Sequence, residues 1–274
     1  MAYQKIEYSV RNRVASIVLN RPEKKNALDL VMREELWRAI DQAGKDSDVA
    51  ALFITGKGTD FCSGGDISTM RPGELDAEAG RQRISPVTRG AQALLELPKP
   101  VIVAADGCAY GAGFSLALAA DIVVATPRSR FCLSFLRIGL IPDVCAMFTL
   151  PRAVGWCRAK HLLYSAQEIN GETALDYGFV SELVNPEMLQ ERGLEIAQAM
   201  TEISTSAFAL SKSALLRSYS SDIPVMAEME INGQAIAFSS KYHAEAAQRF
   251  MNKETLRYRW PTSATGSQMT TKGR

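Results

Sequence analysis

Residues 100–121 constrain the fold most, because they join a buried strand to a helix through glycines. Pro100–Ala104 is a short apolar run rich in valine, which is typical of a buried strand. After a polar break, Gly111-Ala112-Gly113 leads into Phe114–Ala119, a run of good helix formers. A helix that begins in this way leaves backbone N–H groups unpaired at the positive end of its dipole. The pattern predicts a place that holds an anion, either a bound one or one that develops during a reaction.

The same order of strand, loop and helix occurs twice along the chain at comparable spacing, which predicts an α/β fold with each loop on the same side. We expect strands at Ile6–Val10, Val14–Leu19, Val49–Thr55, Ile122–Ala125, Phe131–Leu133 and Val180–Val184. We expect helices from Asp29 to about Ala43 and at Ile84–Leu97, Glu168–Tyr177 and Pro186–Ile203, with Pro72–Gly80 acidic and mobile. After Ser204 the signals are only helical, at Ser206–Leu216, Pro224–Phe238 and Ala244–Lys253. This helical end has little sheet to cover, so we expect it to pack against another subunit.

Composition excludes several classes of function. The 274 residues carry 31 basic and 30 acidic side chains, so no global field attracts nucleic acid or an anionic membrane. The first residues lack the apolar core of a signal peptide, and no apolar run is long enough to span a bilayer. We therefore expect a cytoplasmic protein. Five cysteines without metal-ligand spacing predict free thiols and no metal site.

Two familiar motifs are nearly matched around residue 113 and are not favoured. As a dinucleotide-binding loop, the glycine run would need its third glycine at Leu116. As the serine elbow of a hydrolase, Gly113-Phe-Ser115-Leu-Ala117 lacks its last glycine. The only histidines, His161 and His243, lie in ordinary helical stretches. A buried serine and surface histidines explain the second pattern better than catalysis does.

Asp143 is the carboxylate that the sequence makes most informative. It follows Ile141-Pro142 in an apolar stretch. Loss of water around a carboxylate raises its pKa, which suits a general acid or base near neutral pH. Alternatively, Asp143 caps the helix that follows Pro142. The spacing alone leaves both interpretations open.

A second small-residue loop, Ser63-Gly64-Gly65-Asp66, allows a similar pair of interpretations. It can be a tight turn with Asp66 as a helix cap. It can also supply a second exposed N–H group that faces the N–H of Ala112 and completes an oxyanion hole. Lys24-Lys25, in the preceding loop, is either a solvated surface or a contact for phosphates.

Together these segments resemble the crotonase (enoyl-CoA hydratase/isomerase) superfamily over residues 5–258. Each segment is a weak signal, but their order along the chain is highly specific. The matching stretches are Leu19–Leu28, Phe61–Ile67, Asp106–Gly113, Ala120-Asp121, Gly139–Asp143 and Leu150–Gly155. The resemblance implies a spiral of ββα repeats followed by an all-helical oligomerisation region. On that basis we expect a spiral core at 1–200, a helical trimerisation region at 201–260 and a disordered tail at 261–274.

The resemblance also implies a site. The family binds an acyl-CoA whose thioester oxygen is held by two backbone N–H groups, which match Gly65 and Ala112. The residues expected to contact CoA or the acyl group are Lys25, Ala27, Ser63, Gly64, Asp66, Ile67, Gly111, Ser115, Phe135 and Phe148. Phe250 and Lys253 resemble C-terminal residues that reach the CoA of a neighbouring subunit. Homo-trimers or hexamers are implied, and no cofactor beyond the CoA of the substrate.

Departures from the family pattern decide which chemistry is favoured. Hydratases of this family add water with two glutamates, and this chain has Ser115 and Phe135 at those positions. Neither can take a proton from water, so ordinary hydratase activity is disfavoured. Asp143 matches the acid–base residue of the single-aspartate, PaaG-like isomerases. A further departure is Val144-Cys145-Ala146, where relatives often have glycines, so the acyl pocket near Asp143 is expected to be narrower or differently shaped.

The leading hypothesis is an acyl-CoA isomerase in which Asp143 removes a proton and returns it two carbons away. The first alternative is a hydratase or another crotonase-type lyase with relocated catalytic groups. The second, from another class, is a catalytically silent acyl-CoA-binding protein in which Asp143 only caps its helix.

Overall fold

Strands and helices alternate along the first two thirds of the chain, and the last third is helical. A computed structural model describes residues 3–70, 73 and 75–262. The strands are β1 (Ile6–Arg11), β2 (Val14–Leu19), β3 (Ala51–Gly56), β4 (Val101–Ala105), β5 (Cys108–Tyr110), β6 (Ile122–Ala125), β7 (Arg130–Cys132), β8 (Ile169–Asn170) and β9 (Glu182–Leu183). The helices are α1 (Leu30–Lys45), α2 (Ala77–Leu95), α3 (Ala112–Leu118), α4 (Ala146–Val154), α5 (Trp156–Ser165), α6 (Gly171–Asp176), α7 (Leu189–Met200), α8 (Thr205–Arg217), α9 (Ile223–Phe238) and α10 (Lys241–Met251). Short 3₁₀ turns lie at Pro22–Lys24, Ile67–Thr69, Ser134–Ile138 and Pro186–Met188.

Two sheets organise these elements. The larger has the order β1-β2-β3-β4-β6-β9, and all its pairs are parallel except the hairpin of β1 and β2. The smaller has the order β5-β7-β8, with β5 and β7 parallel. Because β4 continues into β5 after a turn at 106–107, the chain passes from the large sheet to the small one immediately before α3. The loops that end β3 and β4 therefore lie side by side.

The large sheet is covered on both faces, which explains why its central strands are continuous apolar runs. Every residue of β3 and β4 is buried. On one face Leu52 and Val103 join the core cluster that includes Leu36 of α1. On the other face Phe53 packs with Ile196 of α7. This double cover makes the sheet a rigid support for the loops at its edge.

Most predicted elements are confirmed to within a few residues, but three helices differ more. The helix expected at Ile84–Leu97 begins earlier, at Ala77, because the Asp76 carboxylate accepts a hydrogen bond from the N–H of Ala79 at 2.8 Å. Residues 77–80 of the stretch predicted to be mobile thus belong to a helix, their mobility stays a prediction, and 72 and 74 lie outside the described residues. The first residues of the expected helix Glu168–Tyr177 form β8, and the helix expected at Pro186–Ile203 is divided into a 3₁₀ turn and α7.

The C-terminal helices attach to the core through polar contacts and through Phe208 of α8, which packs against a core cluster. The Nζ atom of Lys212 lies 2.7 Å from Oδ2 of Asp121, and the hydroxyl of Tyr242 donates to the carbonyl of Glu202 at 2.9 Å. Every residue of α9 is at least partly exposed, although the helix is rich in apolar side chains. The most exposed of its apolar residues is Ile223, at 84%. The tail from 263 onward, which the sequence predicts to be disordered, lies outside the described residues.

The part of the chain that the structure describes has neither a membrane-spanning helix nor a cluster of metal-ligating side chains. Among residues 3–70, 73 and 75–262, no helix has both the length and the apolar character needed to cross a bilayer. Within those ranges no three side chains of the metal-ligating types come together. All five cysteines are free thiols, three of them buried.

Candidate active site

The N-terminus of α3 is formed by a glycine in a conformation that other residues rarely adopt. Gly111 has φ +49°, which turns the chain sharply from β5 into the helix. Its N–H donates to the carbonyl of Cys132 at 2.8 Å, and its carbonyl accepts from the N–H of Ser115 at 3.0 Å. Ala112 is the first residue of α3, and its N–H donates to no group among the described residues. The helix therefore presents one free donor at its start.

The second glycine loop is held directly against this helix start. The N–H of Cys62 donates to the carbonyl of Cys108, and the N–H of Tyr110 donates to the carbonyl of Cys62, both at 2.9 Å. A Cβ added at Gly64 would lie 2.6 Å from the carbonyl oxygen of Tyr110 and 3.4 Å from the nitrogen of Ala112. Only glycine permits so close an approach. Residues 62–65 and 110–112 thus form one compact unit.

Gly65 supplies a second free donor in this unit. Its two neighbours are paired with Leu28: the N–H of Leu28 donates to the carbonyl of Gly64 at 2.7 Å, and the N–H of Asp66 donates to the carbonyl of Leu28 at 3.0 Å. The N–H of Gly65 itself has no acceptor in the part of the chain that the structure describes. Two unpaired backbone donors on touching loops can hold an oxygen atom that develops negative charge.

The contact between the two loops predicts opposite effects for two glycine substitutions. A Cβ at Gly113 would lie 2.2 Å from the carbonyl oxygen of Cys62, whereas a Cβ at Gly80 in α2 meets nothing within 4 Å. We expect Gly113→Ala to lower the free energy of unfolding by more than about 2 kcal/mol, since backbone must move. Gly80→Ala should raise it by about 0.5–1 kcal/mol. Urea unfolding of both variants tests this, and a neutral Gly113→Ala would show that the loops are not tightly packed.

Asp66 anchors the Gly65 loop rather than facing open space. Its Oδ2 atom accepts hydrogen bonds from both terminal nitrogens of Arg21, each at 3.1 Å. Its Oδ1 atom accepts from the N–H and the hydroxyl of Ser68. These bonds, first those from Ser68, hold the pKa of the Asp66 carboxyl below its usual range. The helix-cap interpretation is confirmed for Asp66, and its contact with substrate stays a prediction.

Three residues predicted to contact CoA do come together. The carbonyl of Lys25 accepts a hydrogen bond from the N–H of Ser63 at 2.9 Å. The hydroxyl of Ser63 donates to the carbonyl of Lys24 at 3.2 Å, and the N–H of Ala27 donates to the same carbonyl. Ile67 lies nearby at the end of the Gly65 loop and is 58% exposed. These residues form an exposed rim beside the two donors.

Ser115 and Phe135 take structural roles next to the donors. Ser115 is fully buried, and its hydroxyl donates to the carbonyl of Gly111 at 3.2 Å. Phe135 is also buried, and its ring lies about 3.8 Å from the point that a Cβ on Gly111 would occupy. The serine stabilises the helix start and the phenyl ring fills space beside it. Neither position offers a group that can exchange a proton with substrate.

Asp143 does not cap the following helix, so that alternative is wrong. Helix α4 begins at Ala146, and its N-cap is Cys145, which makes no capping hydrogen bond through its side chain. Val144 and Cys145 have φ of +52° and +58°, a left-handed pair that is strained for a β-branched residue. The Oδ1 atom of Asp143 is buried and has no hydrogen-bond partner among the described residues. The strained turn thus holds a partly buried carboxylate with one buried oxygen that has no partner among those residues.

The charge of Asp143 acts on Cys62 of the donor loop, residues 62–66, and on Arg33 of α1. Burial raises the pKa of Asp143 to about 6, and the nearby positive charge of Arg33 acts in the opposite direction. Burial also raises the pKa of the Cys62 thiol to about 12, and the charge of Asp143 adds to that effect. Asp143 therefore lies close enough to the loop of Gly65 for its charge to influence the thiol of Cys62. Sequence reasoning missed Arg33, because its proximity depends on how α1 packs.

Phe148 lines a cavity of about 570 Å³ that also includes Cys145, shortly after Asp143. Its ring packs under the guanidinium of Arg152, 3.6 Å from the ring centre. The other lining residues are Gln92, Leu95, Glu96, Ser213, Leu216 and Arg217. By contrast, Phe250 is 74% exposed on α10, and Lys253 follows that helix on the surface. Their contact with CoA in a neighbouring subunit stays a prediction.

Comparison with known proteins identifies the family. The sequence model described as Enoyl-CoA hydratase/isomerase matches residues 9–261. The chain belongs to the enoyl-CoA hydratase/isomerase family. It is 39% identical over 193 residues to the trans-2-decenoyl-[acyl-carrier-protein] isomerase of Streptococcus mutans, covering 70% of this chain and 73% of that protein. It is 30% identical over 254 residues to the 1,2-epoxyphenylacetyl-CoA isomerase of Escherichia coli, covering 91% and 96%.

A solved structure agrees with this assignment. The crystal structure of an enoyl-CoA hydratase/isomerase from Cupriavidus metallidurans superposes with a TM-score of 0.91 at 36% identity, over 96% of this chain and all of that one. The crotonase fold expected from the sequence is therefore confirmed, and the chain is an enzyme of this family. Membership also supports an acyl-CoA hydratase/isomerase activity. Hydratases and isomerases share the family, so membership alone does not select the reaction.

Proposed function

We propose that this enoyl-CoA hydratase/isomerase family member is an isomerase that moves a double bond along an acyl-CoA chain. The observation that carries the proposal is the partly buried Asp143 carboxylate: its buried Oδ1 atom has no hydrogen-bond partner among the described residues, and its charge acts on Cys62 in the loop of Gly65. With a pKa of about 6, it is ionised at neutral pH and remains basic enough to take a proton. Ser115 and Phe135 provide no second acid–base group.

The reaction would proceed in two proton transfers through one carboxylate. Asp143 removes a proton from the carbon next to the thioester carbonyl of a 3-enoyl-CoA. The C–H electron pair forms a double bond to the carbonyl carbon and the carbonyl π electrons move to its oxygen, and this enolate oxygen accepts hydrogen bonds from the N–H groups of Gly65 and Ala112. The protonated Asp143 then returns the proton two carbons away, which gives the 2-enoyl-CoA. The reaction moves one proton and one double bond within the substrate, so it is redox-neutral and uses no cofactor beyond the CoA of the substrate.

A hydratase would require more than the residues around Asp143 provide. Water addition needs one group to deprotonate water and another to protonate the enolate carbon. Among the described residues near the donors, Asp143 is the one carboxylate with a buried oxygen that has no hydrogen-bond partner. A silent acyl-CoA-binding protein would not need this carboxylate at all, and burying it without a partner costs stability. Both alternatives are therefore less well supported than isomerisation.

The proposal is tested by following the double bond and the exchanged proton. The enzyme would be incubated in deuterated water with 3-enoyl- and 2-enoyl-CoA thioesters, and the products analysed by NMR and mass spectrometry. We expect migration of the double bond with deuterium at the carbons that gain or lose a proton. Formation of 3-hydroxyacyl-CoA without migration would identify a hydratase. Tight binding without any exchange would identify a silent binder.

We further propose that the enzyme assembles into trimers or hexamers through its C-terminal helices. Helix α9 exposes Ile231, Ile236 and Phe238, each more than half exposed, and Leu215 of α8 is exposed as well. Apolar side chains in such number on one helical layer favour burial against another copy. Light scattering should give a mass of three or six chains. A monomer at micromolar concentration would contradict this proposal.

A further inference from the structure

A half-buried cation that has no side-chain partner among the described residues lies on the first turns of α1. Arg33 follows the N-cap residue Asp29 by four positions, and its backbone N–H donates to the carbonyl of Asp29 at 3.0 Å. Its side chain is half-buried. Its guanidinium makes no hydrogen bond or ion pair with any described residue. Because Leu28 pairs with Gly64 and Asp66, the start of α1 lies against the donor loop.

A second arginine reaches the same region from α2. A terminal nitrogen of Arg83 donates to the hydroxyl of Thr69 at 2.8 Å, and that hydroxyl donates to the carbonyl of Asp66 at 2.7 Å. Thr69 belongs to the 3₁₀ turn that directly follows Gly65 and Asp66. Arg83 is also half-buried. The two arginines therefore approach the donor loop from α1 on one side and α2 on the other.

The acidic groups near Arg33 do not neutralise this pair. Burial lowers the pKa of Arg33, the like charge of Arg83 lowers it further, and Asp143 and Asp29 act in the opposite direction. Asp29 is already engaged, since its Oδ1 atom accepts from Met32 and its Oδ2 atom lies 3.2 Å from Arg21. Asp143 must stay available for proton transfer. Of the two acidic groups that act on Arg33, only Asp143 is not already engaged by other described residues, and partial burial of such charge is costly without a counter-ion.

We propose that Arg33 and Arg83 form a carboxylate-binding subsite in the acyl pocket, and that the preferred substrate is a short acyl-CoA with a carboxylate at its far end. This inference rests on the proposed function. The thioester oxygen would lie at Gly65 and Ala112, the reacting carbons at Asp143, and the distal carboxylate at the arginines. A guanidinium is suited to this role, because its planar fork binds a carboxylate through two parallel hydrogen bonds.

The test compares two matched thioesters, an unsaturated acyl-CoA that ends in a carboxylate and the methyl ester of the same compound. We expect the wild-type enzyme to show a kcat/KM at least tenfold higher for the carboxylate, and Arg33→Met to reduce this ratio to about one. Loss of Arg33 also shifts the pKa of Asp143, which changes the rate with both substrates alike. The ratio of the two kcat/KM values cancels this common effect. Arg38→Met, which changes an exposed arginine on the same helix, should leave the ratio unchanged.

Binding measurements separate failure of the subsite from failure of the proposed reaction. Calorimetry with the saturated forms of the two thioesters measures the preference without any turnover, and Arg83→Met provides a second variant should Arg33→Met not fold. A tenfold preference in Kd that either variant removes supports the subsite, even for an enzyme that hydrates instead of isomerising. No preference in the wild type would overturn it. The subsite would also be overturned if Arg33→Met weakened the binding of free CoA as much as that of the carboxylate thioester. The arginines would then bind a CoA phosphate.

Discussion

Asparagine at position 143 is expected to lower kcat for double-bond migration by about 10³-fold or more while leaving the Kd of the acyl-CoA within a few-fold of wild type. An amide has nearly the shape of the carboxylate but cannot accept and return a proton, and general acid–base groups contribute about 10²–10⁴-fold. NMR of the thioester products measures the rate, and calorimetry measures binding. Retention of more than a tenth of the activity would assign the proton transfer to another group.

The same variant should be more stable than wild type, which distinguishes loss of chemistry from loss of folding. The pKa of Asp143 is raised to about 6 in the folded enzyme, so the folded state favours its protonated form. Its ionisation therefore destabilises the fold progressively as pH rises through about 6, and has no effect below about pH 4. At pH 8 we expect Asp143→Asn to gain about 2–3 kcal/mol in the free energy of unfolding, and at pH 4 about nothing. Urea unfolding at both values provides the control.

The raised pKa also fixes how the wild-type rate depends on pH. Asp143 must be ionised to remove the first proton, so kcat/KM should be constant above about pH 7 and fall tenfold per unit below about pH 6. A profile that stays flat down to pH 5 would show that the base is not this carboxylate.

Proline at position 112 is expected to lower kcat by about 10²–10³-fold, because it removes one of the two donors and nothing else of the site. Ala112 is the first residue of α3, the helical position at which proline is best tolerated, and glycine precedes it. Loss of a single oxyanion donor typically has an effect of this size. The loss should fall on kcat more than on the Kd of substrate, since the donor acts most strongly on the enolate.

Serine at the same position is the matched control. Ala112→Ser changes the side chain but keeps the N–H group, so its activity should stay within about threefold of wild type. Circular dichroism and urea unfolding of both variants verify that α3 is intact. Full activity in Ala112→Pro would exclude this N–H from the reaction and would leave Gly65 as the single remaining donor of the proposed hole.

Local signals in the sequence account for most of the fold. Glycines and an N-cap residue predicted the sharp start of α3 and the start of α1 at Asp29, because these features depend on neighbours within a few residues. The valine-rich runs predicted β3 and β4, because burial on both faces leaves a continuous apolar pattern. The start of α2 was placed too late, since the cap at Asp76 lies in an acidic stretch that resembles a loop.

The site was predicted less completely than the fold. The relations that the sequence did not predict join residues that are far apart along the chain. The sequence left Asp143 open between a cap and a base, because the choice depends on the left-handed backbone of Val144-Cys145, and a valine does not indicate that conformation. Arg33 gave no signal, since it looks like an ordinary charged helix residue until α1 is packed beside Asp143. Such relations arise from tertiary packing and cannot be derived from spacing.

The two proposed oxygen-holding donors belong to the peptide backbone, which has a consequence for how such an enzyme can change over time. Substitution at Gly65 or Ala112 by any residue except proline leaves an N–H group in the chain. The pair of donors therefore depends on the conformation of the backbone and not on the identity of the side chains. Side chains at positions such as 115, 135 and 143 can change while both backbone N–H donors remain. Substitutions during evolution would therefore change or abolish the reaction of such an enzyme long before they removed its ability to stabilise an enolate.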